Sequence, residues 1–297
     1  MIVLYVYLNG EVQPVEEATL SIMDHGLMYG LGLFETFRVF DGHPFLLDDH
    51  FYRLEKSARE MNIAWSYDRQ AVLKALHMTL EANEWNNAYV RYNITAGMDS
   101  LGLTTEKYTS PQTIIYMKPL PSFAATFPVK RGQLLSIRRN TPEGHTRLKS
   151  HHFFNNVLGK REIGEETDVE GIFLTASGHV AEGVVSNVFW VKDGTIYTPS
   201  VETGILKGIT REFILTLAKK HGIYVREGRF EPSFLIEAEE AFAANSIQGI
   251  VRLTAVDQHR YSTSTDSLVS FLQKEYTTYC TSLWQTKELL DGKDERK

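Results

Sequence analysis

Short runs of alternating apolar and polar residues, separated by turn signals, share this chain with stretches of helical spacing. Residues 5–8 and 11–15 flank Asn9-Gly10, a two-residue hairpin turn. Residues 34–40 alternate up to Asp41-Gly42, a second such turn, with a further strand at 44–47. Asp48 stands where it can cap a helix reaching Met61, because Phe51, Leu54, Ala58 and Met61 recur every three or four positions. A second helix is predicted over 69–84, and strands over 89–95 and 113–117. Lys118-Pro119-Leu120-Pro121-Ser122 resists both helix and central strand and reads as a connector. The pattern thus predicts a smaller α+β domain over 1–118, a linker over 119–122 and a larger domain over 123–297.

In the second half the pattern predicts a strand at 133–137, a loop at 140–145 and a helix over 151–164. Strands follow at 171–175 and 184–191, with turns at Ser177-Gly178 and Asp193-Gly194. A helix from Thr210 stops at Gly222, a strand over 240–244 leads into Asn245-Ser246-Ile247, and a last helix spans 266–290 before a charged tail, 291–297. No internal repeat or low-complexity segment is present.

Composition narrows the classes. The 297 residues are 43% hydrophobic and 23% charged, enough for a sizeable core. A net charge of -6 argues against nucleic acid or an anionic membrane as partner, while leaving room for a local arginine pocket that binds a small anion. Cys280 is the only cysteine, which excludes an intrachain disulfide and suits a reducing compartment. The apolar start meets Asn9-Gly10-Glu11 at once and lacks a basic leader, so it reads as a strand, and no run is long enough to span a membrane. The expectation is a cytoplasmic protein.

Three motifs carry the chemistry. Arg147-Leu148-Lys149-Ser150 offers an amine, which alone would read as a solvated surface lysine. Ala181-Glu182-Gly183-Val184-Val185-Ser186-Asn187-Val188-Phe189 places a carboxylate in a loop beside a strand former run. Gly208-Ile209-Thr210 opens a helix whose N–H groups, with the threonine hydroxyl, can hold a phosphate. On the strand 34–40, Phe34, Thr36 and Arg38 lie two apart and share a face, as do Arg91 and Asn93 on another strand.

In their order and spacing these motifs resemble fold-type IV enzymes dependent on pyridoxal 5′-phosphate (PLP), the group of branched-chain and D-amino-acid aminotransferases. The resemblance implies a two-domain α/β and α+β fold, with Lys149 as the Schiff-base lysine and Glu182 as partner of the pyridine nitrogen. It also implies phosphate contacts from Arg53, Gly208, Ile209, Thr210, Ser246 and Ile247, supported by Ser186 and Asn187, and a homodimer in which the loop after Gly97 closes the partner's site. No metal is implied. Phe34, Thr36, Arg38, Arg91 and Asn93 would line the substrate side, with Thr36 a candidate proton relay. Asp24-His25-Gly26, Phe34-Glu35-Thr36-Phe37-Arg38, residues 136–144 and Arg147-Leu148-Lys149-Ser150-His151-His152 look most like the 4-amino-4-deoxychorismate lyases of the Bacillus type. Ala96 stands where D-amino-acid aminotransferases carry a carboxylate-trapping arginine, and Arg252 where relatives often have proline. The implied reaction turns 4-amino-4-deoxychorismate, a dicarboxylate, into 4-aminobenzoate and pyruvate. Rival readings are a D-amino-acid or branched-chain aminotransferase and a non-catalytic PLP-binding dimer.

Overall fold

The computed structural model describes residues 3–121 and 127–290. The end of the expected linker at Ser122, residues 123–126 and the charged tail 291–297 lie outside the described residues. The chain divides into two compact units that do not follow chain order. One comprises Met1–Phe123 with Leu148–His152 and Thr281–Gln285; the other comprises Ala124–Arg147, Phe153–Cys280 and Thr286–Lys297.

The first unit is built from β1 (Tyr5–Leu8), β2 (Glu11–Pro14), α1 (His25–Tyr29), β3 (Gly32–Phe40), β4 (His43–Pro44), α2 (Leu47–Glu60), α3 (Arg69–Ala82), β5 (Ala88–Thr95) and β6 (Gln112–Pro119). Its antiparallel sheet has the order β2-β1-β6-β5-β3-β4. Both expected hairpins form, and Asn9, Gly10, Asp41 and Gly42 all have positive φ, as a primed two-residue turn requires. Phe51, Leu54 and Ala58 of α2 pack with Phe37, Val39, Val90 and Ile94 of the sheet in a buried cluster. Each large side chain buried there contributes roughly 1.5–3 kcal/mol.

Two expectations fail here for stated reasons. The strand expected over 44–47 is reduced to β4, ending at Pro44, because Leu46 takes φ 55° and turns the chain directly into α2. Asp48 does not cap that helix. It lies buried in the first turn and accepts from Tyr67, Arg69 and Gln285, since a buried carboxylate is stable only with such donors.

The second unit holds β7 (Val129–Arg138), α4 (Phe154–Ile163), β8 (Val169–Leu174), β9 (Val180–Gly183), β10 (Asn187–Lys192), β11 (Thr195–Pro199), α5 (Ile209–Lys220), β12 (Val225–Gly228), α6 (Pro232–Ile236), β13 (Glu240–Asn245), β14 (Gly249–Val256), β15 (His259–Arg260) and α7 (Leu268–Tyr279). The sheet order is β12-β11-β10-β13-β14-β7-β8-β9, with β15 on β14. β7 runs parallel to both β8 and β14, so the sheet is mixed. The fold is therefore α/β and α+β, as expected. Arg252 is buried on β14, where Glu240, Ser267 and Ser270 take its guanidinium and tie the start of α7 to the sheet.

Three boundaries move. Glu182 lies within β9 and not in a loop, and the strand expected over 184–191 begins only at Asn187, after a turn in which Gly183 N–H meets Ser186 O at 2.7 Å. The helix expected from His151 starts at Phe154, because residues 149–151 pair along β3 instead: Phe34 N–H reaches Lys149 O and His151 N–H reaches Gly32 O, both at 2.9 Å. The last helix ends at Tyr279. Beyond it Trp284 packs edge-on against His43 at 4.5 Å and under Arg69 at 5.0 Å, which outweighs a few more helical hydrogen bonds. Among the described residues, no helix is long and apolar enough to cross a membrane.

Candidate active site

The register of the first unit's sheet sets Phe34 opposite Asn93, Thr36 opposite Arg91 and Arg38 opposite Tyr89. A strand's period of two therefore brings all five substrate-side candidates onto one face. Ser150 bridges to Leu33 on the other edge of β3, which puts Lys149 and His151 beside that face. Phe34 is its centre. Lys149 Nζ stands 4.6 Å from the ring centroid and the Arg91 guanidinium carbon 3.6 Å. The His151 ring lies 6.2 Å away, and His151 Nε2 and Arg91 Nε both sit 3.2 Å from Asn93 Oδ1. Burial, reinforced by the Arg91 charge, pushes the His151 imidazole down to about 4. Arg38 lies 4.6 Å over Phe40 and donates to the Pro121 carbonyl.

Residue Glu35 points the opposite way from Phe34 and Thr36, toward α2. Arg53 meets it with Nε at 2.8 Å and a second nitrogen at 2.6 Å, and His50 Nδ1 lies 2.7 Å away. Burial would raise this carboxyl, but Arg53 and His50 outweigh it and hold it at about 2. A residue on an amphipathic helix that would read as a surface charge is thus fixed by a buried anion.

In the second unit, Glu182 is buried between donors. Arg139 Nε–H reaches Oε1 at 2.7 Å, the Leu206 N–H reaches Oε2 at 2.9 Å, and Arg147 Nε stands 3.6 Å from Oε1. Arg139 is itself held by Asn155 at 2.6 Å and Asn156 at 3.2 Å. Burial lowers Arg147 to about 10, and the neighbouring Arg139 charge acts in the same direction. The ends of β10 and β13 and the start of α5 meet close by. Asn187 donates to Leu206 O at 3.0 Å, and Thr210 Oγ1 lies 3.1 Å from Ser246 Oγ. Ser186 turns away to donate to Glu170 at 2.7 Å, where Lys130 also pairs, and the Ile247 N–H is taken by Asn245 at 3.0 Å.

Gly208 is the N-cap of α5 and has no side chain to satisfy the first N–H groups; a Cβ there would overlap Asn187 Oδ1. An uncapped helix start with two hydroxyls suits a phosphate, and a buried, donor-held carboxylate suits a cationic ring nitrogen. The donor set fits PLP. Arg139, Arg147, Glu35 and His151 were not singled out from sequence. Their partners lie far along the chain, and no local spacing marks them.

The amino-transferase class IV family model matches residues 32–256, from β3 to the end of β14. The chain belongs to this family. Among its relatives, the aminodeoxychorismate lyase of Bacillus subtilis is 44% identical over 273 residues, covering 91% of this chain and 93% of that protein. The crystal structure of Escherichia coli branched-chain amino acid aminotransferase superposes with a TM-score of 0.84 at 28% identity, covering 94% of this chain and 95% of that one. A branched-chain aminotransferase from Thermobaculum terrenum, solved in its PLP form, gives a TM-score of 0.81 at 24% identity, covering 94% of each chain.

Proposed function

We infer that this class IV enzyme is an aminodeoxychorismate lyase that uses PLP to convert 4-amino-4-deoxychorismate into 4-aminobenzoate and pyruvate. The observation that carries the reading is the 44% identity to the Bacillus lyase across nine-tenths of the chain. The clustering of Lys149, Arg91 and Asn93 around Phe34 supports it.

Lys149 would hold the cofactor, Glu182 would answer its ring nitrogen, and the start of α5 with Gly208, Ile209, Thr210 and Ser246 would take its phosphate, with Arg53 as a further cation. When bound, the cofactor supplies an electron sink for the pair left at the amine-bearing carbon. Lys149, once its amine is free, removes the proton from that carbon. The C–O bond to the enolpyruvyl group then breaks, the ring becomes aromatic, and the released enol becomes pyruvate on gaining a proton. Atoms balance without a second substrate. Thr36, on the same face, is the candidate to relay that proton. Arg91 and Arg38 are the candidates for the two substrate carboxylates.

The active form is a homodimer in the cytoplasm. Ile22, Leu27, Met98, Leu101 and Leu103 are exposed on adjoining segments, joined where His25 N–H meets Gly97 O, and such a patch suits a second copy of the chain. A branched-chain aminotransferase is the second reading, favoured by the Escherichia coli likeness. One assay separates the two. Pyruvate release from 4-amino-4-deoxychorismate with no keto acid added supports the lyase, whereas stoichiometric consumption of 2-oxoglutarate with no such release restores the aminotransferase.

A further inference from the structure

His151 has no role assigned above, yet its ring has a built seat. Gly32 lies directly beneath it, and a Cβ at that position would overlap the imidazole Cε1 and Nδ1. The main chain fixes the pair as well, through His151 N–H to Gly32 O at 2.9 Å. From there Nε2 reaches Asn93 Oδ1, the same oxygen that Arg91 Nε–H reaches. A guanidinium can only donate, so this atom must be the amide oxygen, and the imidazole must also donate to it. The amide is thereby oriented, and among the described residues its buried Nδ2 meets no acceptor.

We propose that His151 is the positioning residue of the substrate's carboxylate subsite, orienting the Asn93 amide and, through it, the Arg91 guanidinium. This rests on the lyase reading for the identity of the carboxylate. With Oδ1 held by two donors, the amide N–H groups and the charge of Arg91 act on one acceptor, and a substrate carboxylate oxygen is the group that completes them. The assignment needs an uncharged imidazole with its proton on Nε2. The charged groups about it agree: Arg91 opposes a second cation, His152 acts in the same sense, and Asp24 alone favours one. Asp24 is already engaged by Gly26 N–H and Thr95.

The test combines kinetics of the holoenzyme with side-chain ¹⁵N spectra. His151→Leu should raise KM for 4-amino-4-deoxychorismate about tenfold or more with kcat changed less than about threefold, the loss expected for one hydrogen bond to a charged assembly. His151→Gln, which can donate to Asn93, should recover most of the affinity. The cofactor fixed by borohydride should stay equal across the variants. In the wild type, the imidazole should be neutral and protonated at Nε2 at pH 7, and the Asn93 amide signals should shift in His151→Leu. An unchanged KM in both variants, or a fall in kcat alone, would overturn the positioning role. If the wild type releases no pyruvate, the lyase reading fails; the spectra still decide His151, because a charged imidazole or an Nδ1 proton at pH 7 overturns the proposal.

Discussion

Arg139 and Glu182 form a buried ion pair at 2.7 Å, and Arg147 stands close enough to Glu182 to add a second cation. The carboxylate is therefore held in place by donors on both of its oxygens before any ligand arrives. Replacing it tests both roles. Glu182→Gln keeps the volume and removes the charge, and turnover should fall by roughly two to three powers of ten. Arg139→Leu should instead destabilise the fold by about 3–5 kcal/mol in urea unfolding, because it strands a buried charge. Unchanged turnover in Glu182→Gln would mean that this carboxylate serves another purpose.

Lys149 is expected to carry the cofactor. Borohydride should fix it to the peptide containing Lys149, and not to those of Lys160 or Lys207. Lys149→Ala should abolish turnover and leave no cofactor fixed by borohydride.

The start of α5 can be blocked without altering charge. Gly208→Ala drives a methyl into Asn187 Oδ1. Overpacking of this kind costs about 1–3 kcal/mol, so cofactor affinity measured by dialysis should weaken by roughly one to two powers of ten. Retained affinity would show that the phosphate does not sit at this turn.

Acid should weaken the first unit in two stages. His151 has its folded pKa lowered from 6.5 to about 4, so the unfolded chain binds more protons as pH falls through that window. Glu35 is lowered from 4.5 to about 2, so the stability it contributes is complete above 4.5 and is lost as pH falls toward 2. Each contributes about 3 kcal/mol at most. The urea midpoint should decline between pH 6.5 and 4 and again below 4.5. His151→Leu should shrink the first decline without abolishing it, because buried His50 is lowered in the same direction.

Substrate charge separates lyase from aminotransferase. Arg38→Ala or Arg91→Ala should raise KM for 4-amino-4-deoxychorismate, since each charged hydrogen bond contributes about 1.5–3 kcal/mol. Transamination of D-alanine should be feeble, because Ala96 offers no cation. Brisk D-alanine transamination without pyruvate release from the lyase substrate would overturn the reading.

What was legible in the sequence had a short-range cause. Asn9-Gly10 and Asp41-Gly42 force their turns whatever surrounds them, and a period of two put Phe34, Thr36 and Arg38 on one face before any register was known. What stayed hidden was settled across long separations. Asp48 looked like a cap because nothing nearby announces Arg69 or Gln285. His151 looked helical because its competing partner, Gly32, lies more than a hundred residues earlier. Glu182 was singled out by its neighbours, but Arg139, which holds it, carries no local mark.

The segment 281–285 has a consequence for how the protein is made. Trp284 packs on His43 and Arg69, Leu283 O accepts from the Leu46 N–H at 3.1 Å, and Gln285 reaches Asp48 at 2.6 Å. Residues 148–152 likewise supply an edge to β3. A ribosome delivers the amino-terminal residues first, yet the unit they form lacks the first of these pieces until residue 152 has emerged and the second until residue 285 has. The nascent first unit thus waits with Asp48 short of one donor and β3 short of its neighbour. A chain cut short before residue 281 is therefore left unfinished in the part made first, although the second unit's strands are already complete.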